Sequence, residues 1–230
     1  MKKKLLCFAL AWTMAAGAIL PALAQETPYG TAAEADHATG DEMTIKSISH
    51  AFTDVAADAY YNDAVSWALE KGITAGTTET KFSPNASCTR GQMAAFLWRA
   101  AGAPAPKGDT NPFTDVRADA YYAKAIQWAY EQGIAAGAAE AGFRPDAPCT
   151  RGQMASFIYR YEQAKGGGFR GMWMFRVPFC DVPEWAFEAI AWCYMKNITS
   201  GTSDTTFSPT ADCTRGQMVT FLYRYFANEV

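Results

Sequence analysis

The chain contains the same block of sequence three times, and no other feature constrains its fold as strongly. Each block opens with an aromatic residue two positions before Asp-Val and closes with the run Cys-Thr-Arg-Gly-Gln-Met, which starts at Cys88, Cys149 and Cys213. A unit of roughly fifty residues buries too little apolar surface to be stable alone. We therefore expect three units that share one core, as repeat proteins do.

Within each block the pattern predicts two helices joined by an irregular loop. In the first block Tyr61, Ala64 and Val65 recur at helical spacing, and Gly72 offers the left-handed backbone that ends a helix. The closing run contains Thr-Arg-Gly-Gln, which matches a capping box and predicts the start of the second helix. The predicted fold class is therefore mostly α. We place the repeats at 51–103, 112–164 and 178–227.

The N-terminal segment has the composition of a secretory signal. Three lysines precede an apolar run, and Ala22-Leu23-Ala24 supplies the small residues of a cleavage site. We predict a signal peptide at 1–24 and a flexible leader at 25–50, with a retained membrane anchor as the alternative. Cleavage would lower the formal net charge from −3 to −6, which argues against a nucleic-acid partner. A secreted chain without a transmembrane segment is therefore expected.

The three blocks resemble the S-layer homology (SLH) repeat. The resemblance rests on the aromatic-x-Asp-Val opening, the Gly-Ile turn (Asn197-Ile198 in the third block), the Phe-x-Pro segment and the Thr-Arg-Gly-Gln close. The usual close in that family is Ile-Thr-Arg-Ala-Glu, so the close found here is a variant. The resemblance implies a pseudo-threefold arrangement of the repeats around a shared helical core, with grooves between neighbouring repeats.

The resemblance also implies a partner and a set of binding residues. The partner is a secondary cell-wall polysaccharide, commonly carrying pyruvate ketals, and the arginine of each Thr-Arg motif meets the ketal carboxylate. No cofactor is implied. The implied residues are Arg90, Arg151, Arg215, Asp54, Asp115, Asp181, Tyr60, Tyr121, Trp185, Gly76, Thr77, Gly137, Gly201 and Thr202.

The position of the arginine suggests a site on physical grounds as well. It is predicted at the first residue of a helix, where the macrodipole disfavours an exposed cation by up to about 1 kcal/mol. Free helix-end amides, left accessible by the glycine that follows, could bind a carboxylate together with the guanidinium. An ion pair between the arginine and a repeat aspartate such as Asp54 is the alternative.

The other candidates have structural alternatives too. The aspartates fit turn or cap positions better than direct ligand contacts. The aromatics near the helix starts fit sugar stacking or packing equally. Core packing is expected for Trp67, Trp128 and Trp192. Differences between the blocks, among them Gly137-Ala138 in place of Gly-Thr, predict that the three grooves are unequal.

The cysteines form two groups. Cys88, Cys149 and Cys213 share one repeat position and are expected as small buried hydrophobes, in preference to a metal site of three thiolates. Cys180 and Cys193 occur together in the third block alone, and this paired change predicts a disulfide between them.

The predicted function is non-covalent anchoring to the bacterial cell wall. The sequence has no Ser-His-Asp set and no metal-ligand spacing, so we predict that the chain is not an enzyme. The alternative is a structural surface-layer subunit whose repeats mainly make protein–protein contacts.

Overall fold

The structure is a computed structural model that describes residues 52–108, 111–137, 142–169 and 176–227. The predicted signal peptide and leader lie outside these described residues. Within them the chain forms six α-helices and isolated β-bridges but no strands, which confirms the mostly α fold. In this described part, no helix is long and apolar enough to cross a membrane.

Each repeat contributes two helices. The first helices are α1 (Asn62–Glu70), α3 (Ala123–Glu131) and α5 (Glu184–Met195). The second helices are α2 (Arg90–Ala100), α4 (Arg151–Ala164) and α6 (Arg215–Ala227). The predicted order of helix, loop and helix is therefore confirmed in every repeat.

The helix ends follow local sequence signals. Gly72 and Gly133 follow α1 and α3 with left-handed φ values of 64° and 69°, and Asn197 follows α5 with a φ of 57°. Thr89 and Thr150 begin α2 and α4 with the predicted capping boxes, and the same two hydrogen bonds are present at the start of α6. Local sequence therefore decides where these helices begin and end.

The helices pair across the repeat boundaries. Helix α2 packs against α3, α4 against α5, and α6 returns to α1. Backbone hydrogen bonds make the same connection, because the N–H groups of Cys88, Cys149 and Cys213 donate to the carbonyls of Cys213, Cys88 and Cys149, respectively, at 2.8–2.9 Å. The three repeats thus form a closed cycle of equivalent contacts, and no repeat buries its apolar face alone.

The core takes equivalent side chains from every repeat. Fully buried positions include the phenylalanines of the Phe-x-Pro segments, Phe82, Phe143 and Phe207. The three motif cysteines are also fully buried, as predicted, and burial raises the pKa of Cys88 and Cys213 to about 12. Trp128 and Trp192 are buried as well, whereas Trp67 is partly buried against aromatic residues of α6.

The predicted disulfide between Cys180 and Cys193 is wrong for this structure, in which both residues are free thiols. Cys180 is exposed beside the Asp-Val turn. Cys193 is fully buried on the face of α5 that packs on α4, with its Sγ 3.9 Å from the carbonyl oxygen of Ala155. The helix directs Cys193 into the core, away from the surface position of Cys180.

Candidate functional site

The arginine of each Thr-Arg motif joins two neighbouring repeats. The Nε atoms of Arg90, Arg151 and Arg215 donate to the carbonyls of Phe143, Phe207 and Phe82, respectively, at 2.8–2.9 Å. Each guanidinium also lies 4.6–4.8 Å from the centroid of that phenylalanine ring, within cation–π range. Burial lowers the pKa of all three arginines, but a guanidinium keeps its charge at physiological pH.

The helix-end amides are already used by the neighbouring repeat, which corrects the expectation of a free anion site. The N–H groups of Arg151 and Gly152 donate to the carbonyls of Ala211 and Pro209 at 2.9 Å, and α2 and α6 begin with equivalent bonds. A β-carbon at Gly152 would lie 2.8 Å from the ring of Trp185. The motif glycine therefore permits close packing of the next repeat instead of exposing the backbone.

The aspartates of the Asp-Val turns brace the Phe-x-Pro loops. The carboxylate of Asp181 accepts the N–H groups of Phe207 and Ser208, both at 2.8 Å, and Asp54 and Asp115 make the equivalent pairs of bonds. Ser208 has a φ of 57°, which is unfavourable for a non-glycine residue. The turn role that the sequence predicted for the aspartates therefore accounts for their position.

The alternative of an ion pair between a motif arginine and an aspartate is not realised. Among the ion pairs closer than 4 Å within the described ranges are Arg117–Asp119 and Lys165–Glu162, and none there joins a motif arginine to an aspartate. The carboxylate of Asp181 still favours the charged form of Arg151 electrostatically, although burial dominates the pKa of that arginine. No carboxylate of the described part of the chain therefore bonds to the Nη2 atom of Arg151.

Arg151 lines a groove of about 410 Å³ that is built from all three repeats. We call it the Arg151 groove. Repeat 1 contributes Tyr60, repeat 2 contributes Arg151, and repeat 3 contributes the loop after α5 and one face of α6, including Thr199 and Arg224. Among the described residues, the Nη2 atom of Arg151 is buried and has no hydrogen-bond partner.

A second arginine of each repeat was missed by the sequence reasoning. Arg224, which lines the Arg151 groove, donates from Nη1 to the carbonyl of Ile198 at 3.4 Å. Arg99 and Arg160 donate in the same way to the carbonyls of Ile73 and Ile134. The signal was present in the sequence, because an arginine recurs nine positions after the motif arginine in every block.

The surroundings of the other two motif arginines are different. Around Arg215, the Nη2 atom meets the hydroxyl of Thr74 at 3.5 Å, and we call this place the Arg215 site. Around Arg90, Ala135 stands where that threonine is expected, and the positive charge of Arg144 adds to the burial that lowers the pKa of Arg90. We call this place the Arg90 site. The contacts of the three guanidinium groups are therefore unequal.

Two of the three predicted aromatics lie near motif arginines. Tyr60 is 62% exposed and lines the Arg151 groove. Tyr121 is 43% exposed, and its phenol is close enough to Arg215 to oppose part of the lowering of the arginine pKa that burial causes. Both side chains thus combine exposure with proximity to a buried cation.

Trp185 lies beside a motif glycine and is 59% exposed, so its predicted place among the binding aromatics stays a prediction. It covers Gly152, just as Tyr61 and Tyr122 cover the motif glycines at the starts of α6 and α2. The third block is shorter before its helix tryptophan and has one aromatic residue there where the first two blocks have adjacent tyrosines.

The predicted loop glycines are explained by close packing. A β-carbon at Gly76 or Gly201 would lie 2.5 Å from the ring of the phenylalanine that opens the same repeat, and one at Gly137 would lie 3.2 Å from its equivalent. Gly76 and Gly201 also have φ values near 90°. Gly201 lines the Arg151 groove, so one loop glycine is both a packing and a groove residue.

The predicted loop threonines are held by neighbouring hydroxyl groups. Thr77 Oγ1 lies 2.7 Å from Ser83 Oγ, and Thr202 Oγ1 lies 2.8 Å from Ser208 Oγ. Thr202 lines the Arg151 groove. The corresponding residue of repeat 2, Ala138, lies outside the described residues.

Comparison with known families identifies the class of protein. The S-layer homology domain matches three segments, 51–94, 112–155 and 178–219, which together cover more than half of the chain and contain all three motif arginines. The chain therefore belongs to the S-layer homology family. Its place is the bacterial cell wall or cell surface, where these repeats serve as anchoring modules.

Relatives share this region within much longer proteins. The chain is 32% identical over 181 residues to an endoglucanase of Bacillus sp. (strain KSM-635), an alignment of 75% of this chain and 18% of the relative. It is 35% identical over 113 residues to a surface-layer 125 kDa protein of Lysinibacillus sphaericus, covering 47% and 10%. A cell surface protein of Thermoanaerobacter kivui is 33% identical over 113 residues, covering 47% and 15%. The chain spans less than a fifth of each relative.

Proposed function

We propose that this protein anchors itself non-covalently by binding a secondary cell-wall polysaccharide through the guanidinium groups at the repeat boundaries and not through the helix-end amides. The observation that carries the proposal is the Nη2 atom of Arg151, buried in the groove without a partner among the described residues. An unsatisfied buried donor is costly, and a ligand carboxylate would satisfy it with a charge-assisted hydrogen bond. A pyruvate ketal on a sugar supplies such a carboxylate.

The remaining groove residues suit a charged sugar. Tyr60 offers an exposed ring on which a sugar face can pack, and the hydroxyls of Thr199 and Thr202 can bond to sugar oxygens. Arg224 supplies a second guanidinium to the groove lining and holds the loop through the carbonyl of Ile198. The groove therefore combines one buried cation with polar and aromatic surfaces, as expected for a specific carbohydrate site.

A structural role in a surface layer is the second candidate. The similarity to a surface-layer protein favours it, and in this role the repeats would mainly contact other protein chains. We also propose that this chain is not an enzyme, since the region that it shares with an endoglucanase is shared with surface-layer proteins as well.

Co-sedimentation with isolated cell walls separates the two candidates. Purified protein should pellet with intact walls and remain in the supernatant after acid extraction of the wall polysaccharide. A soluble sugar with a pyruvate ketal should compete for binding, and the same sugar without pyruvate should compete poorly. Equal pelleting with extracted walls would contradict polysaccharide binding and favour protein–protein contacts, whereas equal competition by both sugars would contradict recognition of the carboxylate alone.

A further inference from the structure

We infer that the Arg151 groove is the principal binding site of this molecule, and that one carboxylated sugar binds there per chain against Tyr60. The inference rests on the proposed function. It adds which of the three motif arginines binds the ligand, and it assigns Tyr60 of repeat 1 as the aromatic residue against which the sugar packs.

The guanidinium groups of Arg151 and Arg215 differ in the hydrogen bonds of their Nη2 atoms. Arg151 is 4% exposed, and its Nη2 atom has no hydrogen-bond partner among the described residues. Arg215 is equally buried, but its Nη2 atom already meets Thr74 at 3.5 Å. A carboxylate at the Arg151 groove therefore gains a bond to an unused donor, whereas at the Arg215 site it competes with a protein hydroxyl.

The Arg151 groove and the Arg90 site also differ in the residues that line them. The Arg151 groove has an exposed tyrosine from repeat 1 and loop hydroxyls from repeat 3, including that of Thr199. The Arg90 site has Ala135 at the position of Thr199. The exposed aromatic residue of repeat 3, Trp185, lies beside Gly152. The Arg90 site therefore offers the cation without the loop hydroxyl that can bond to a sugar oxygen.

The Arg151 groove is assembled from all three repeats. Tyr60, Arg151 and Arg224 come from repeats 1, 2 and 3, respectively, and they line one groove only because α6 packs back onto α1. The principal site thus depends on the contact that closes the cycle of repeats. A ligand in the Arg151 groove therefore contacts all three repeats, and its recognition requires the complete three-repeat unit.

Isothermal titration calorimetry on the full chain tests the inference, with a monosaccharide that carries a pyruvate ketal as the probe. The matched variants are Tyr60→Ala and Tyr121→Ala, because both side chains are exposed and neither substitution should unfold the protein. We expect one site per chain, a loss of affinity of about tenfold in Tyr60→Ala and less than about twofold in Tyr121→Ala. Tyr60→Phe keeps the ring and should bind within about twofold of the unaltered chain.

The other outcomes of the titration separate failure of the inference from failure of the proposed function. Equal losses in the two alanine variants, a larger loss in Tyr121→Ala, or two to three equivalent sites per chain would overturn the inference while leaving the proposed function intact. Failure of the unaltered chain to bind the ketal sugar would overturn both. Thermal melting of each variant, unchanged from that of the parent chain, is the control that assigns the losses to binding.

Discussion

The Arg151 groove and the Arg90 site are built on the same motif but differ in what surrounds it. In both, Nε donates to a phenylalanine carbonyl of the next repeat, at 2.9 and 2.8 Å, and the guanidinium lies over that ring at 4.7 and 4.6 Å. The Arg151 groove has a loop threonine, Thr199, and is bordered by Tyr60, whereas the Arg90 site has Ala135 at the position of that threonine. The motif therefore fixes the frame of each site, and residues of other repeats decide its chemistry.

This difference separates two tasks of one side chain. Each motif arginine holds two repeats together through Nε and the ring contact, and its outer nitrogens are then available for a ligand or a neighbouring hydroxyl. Stability should consequently respond alike to changes in any of the three arginines, whereas binding should respond to changes at one of them.

The largest effects are expected from Arg151→Ala and Arg90→Ala. Each change leaves a buried phenylalanine carbonyl without its donor, so both should lower the free energy of unfolding by about 2–3 kcal/mol. Only Arg151→Ala should also reduce affinity for the ketal sugar, by at least about tenfold. Denaturant unfolding and calorimetry on both variants measure the two quantities, and a comparable loss of affinity in Arg90→Ala would contradict the distinction between the sites.

A smaller loss of stability is expected at low pH, and it should be alike for the loops at the Arg151 groove and at the Arg90 site. Desolvation raises the pKa of Asp115 and Asp181, but the backbone hydrogen bonds outweigh it and the net pKa is lowered. A lowered pKa in the folded state means that these carboxylates contribute full stability above their unfolded pKa of about 3.9, and that this stability is lost as the pH falls through the folded pKa.

Unfolding measured between pH 7 and pH 2.5 should therefore show a loss of stability that begins near pH 4. The variants Asp115→Asn and Asp181→Asn should each lose about 1 kcal/mol at pH 7, a low value because these side chains are only partly buried. Each should also flatten the acid dependence. An acid profile unchanged in both variants would show that the carboxylates do not brace the loops.

The smallest effect is expected from exchanging the loop residue that distinguishes the two regions. The hydroxyl of Thr199 accepts the N–H of Gly201 at 3.2 Å, and Ala135 has no oxygen with which to hold Gly137 in the same way. Ala135→Thr should raise the free energy of unfolding by about 1 kcal/mol, and Thr199→Ala should lower it by a similar amount. Thermal melting decides this, and a destabilising Ala135→Thr would mean that the loop of repeat 2 cannot accommodate the hydroxyl.

Much of this architecture could be read from the sequence because its determinants are local. Thr89 and Gln92 specify a helix start wherever that run occurs, and Gly72 specifies a helix end by its backbone freedom. The threefold recurrence of the motif also identified the family and the three arginines at the repeat boundaries. The predicted cleavage of residues 1–24 remains a prediction.

Properties that depend on contacts between repeats were decided only by the tertiary structure. The sequence could not reveal that the helix-end amides of Arg151 and Gly152 bond to repeat 3, or that Trp185 covers that glycine. The paired cysteines of the third block also predicted a disulfide between Cys180 and Cys193, although α5 places the side chain of Cys193 in the core. Local patterns fix the helices because their hydrogen bonds join near neighbours, whereas the groove brings together residues that only the closure of the cycle makes adjacent.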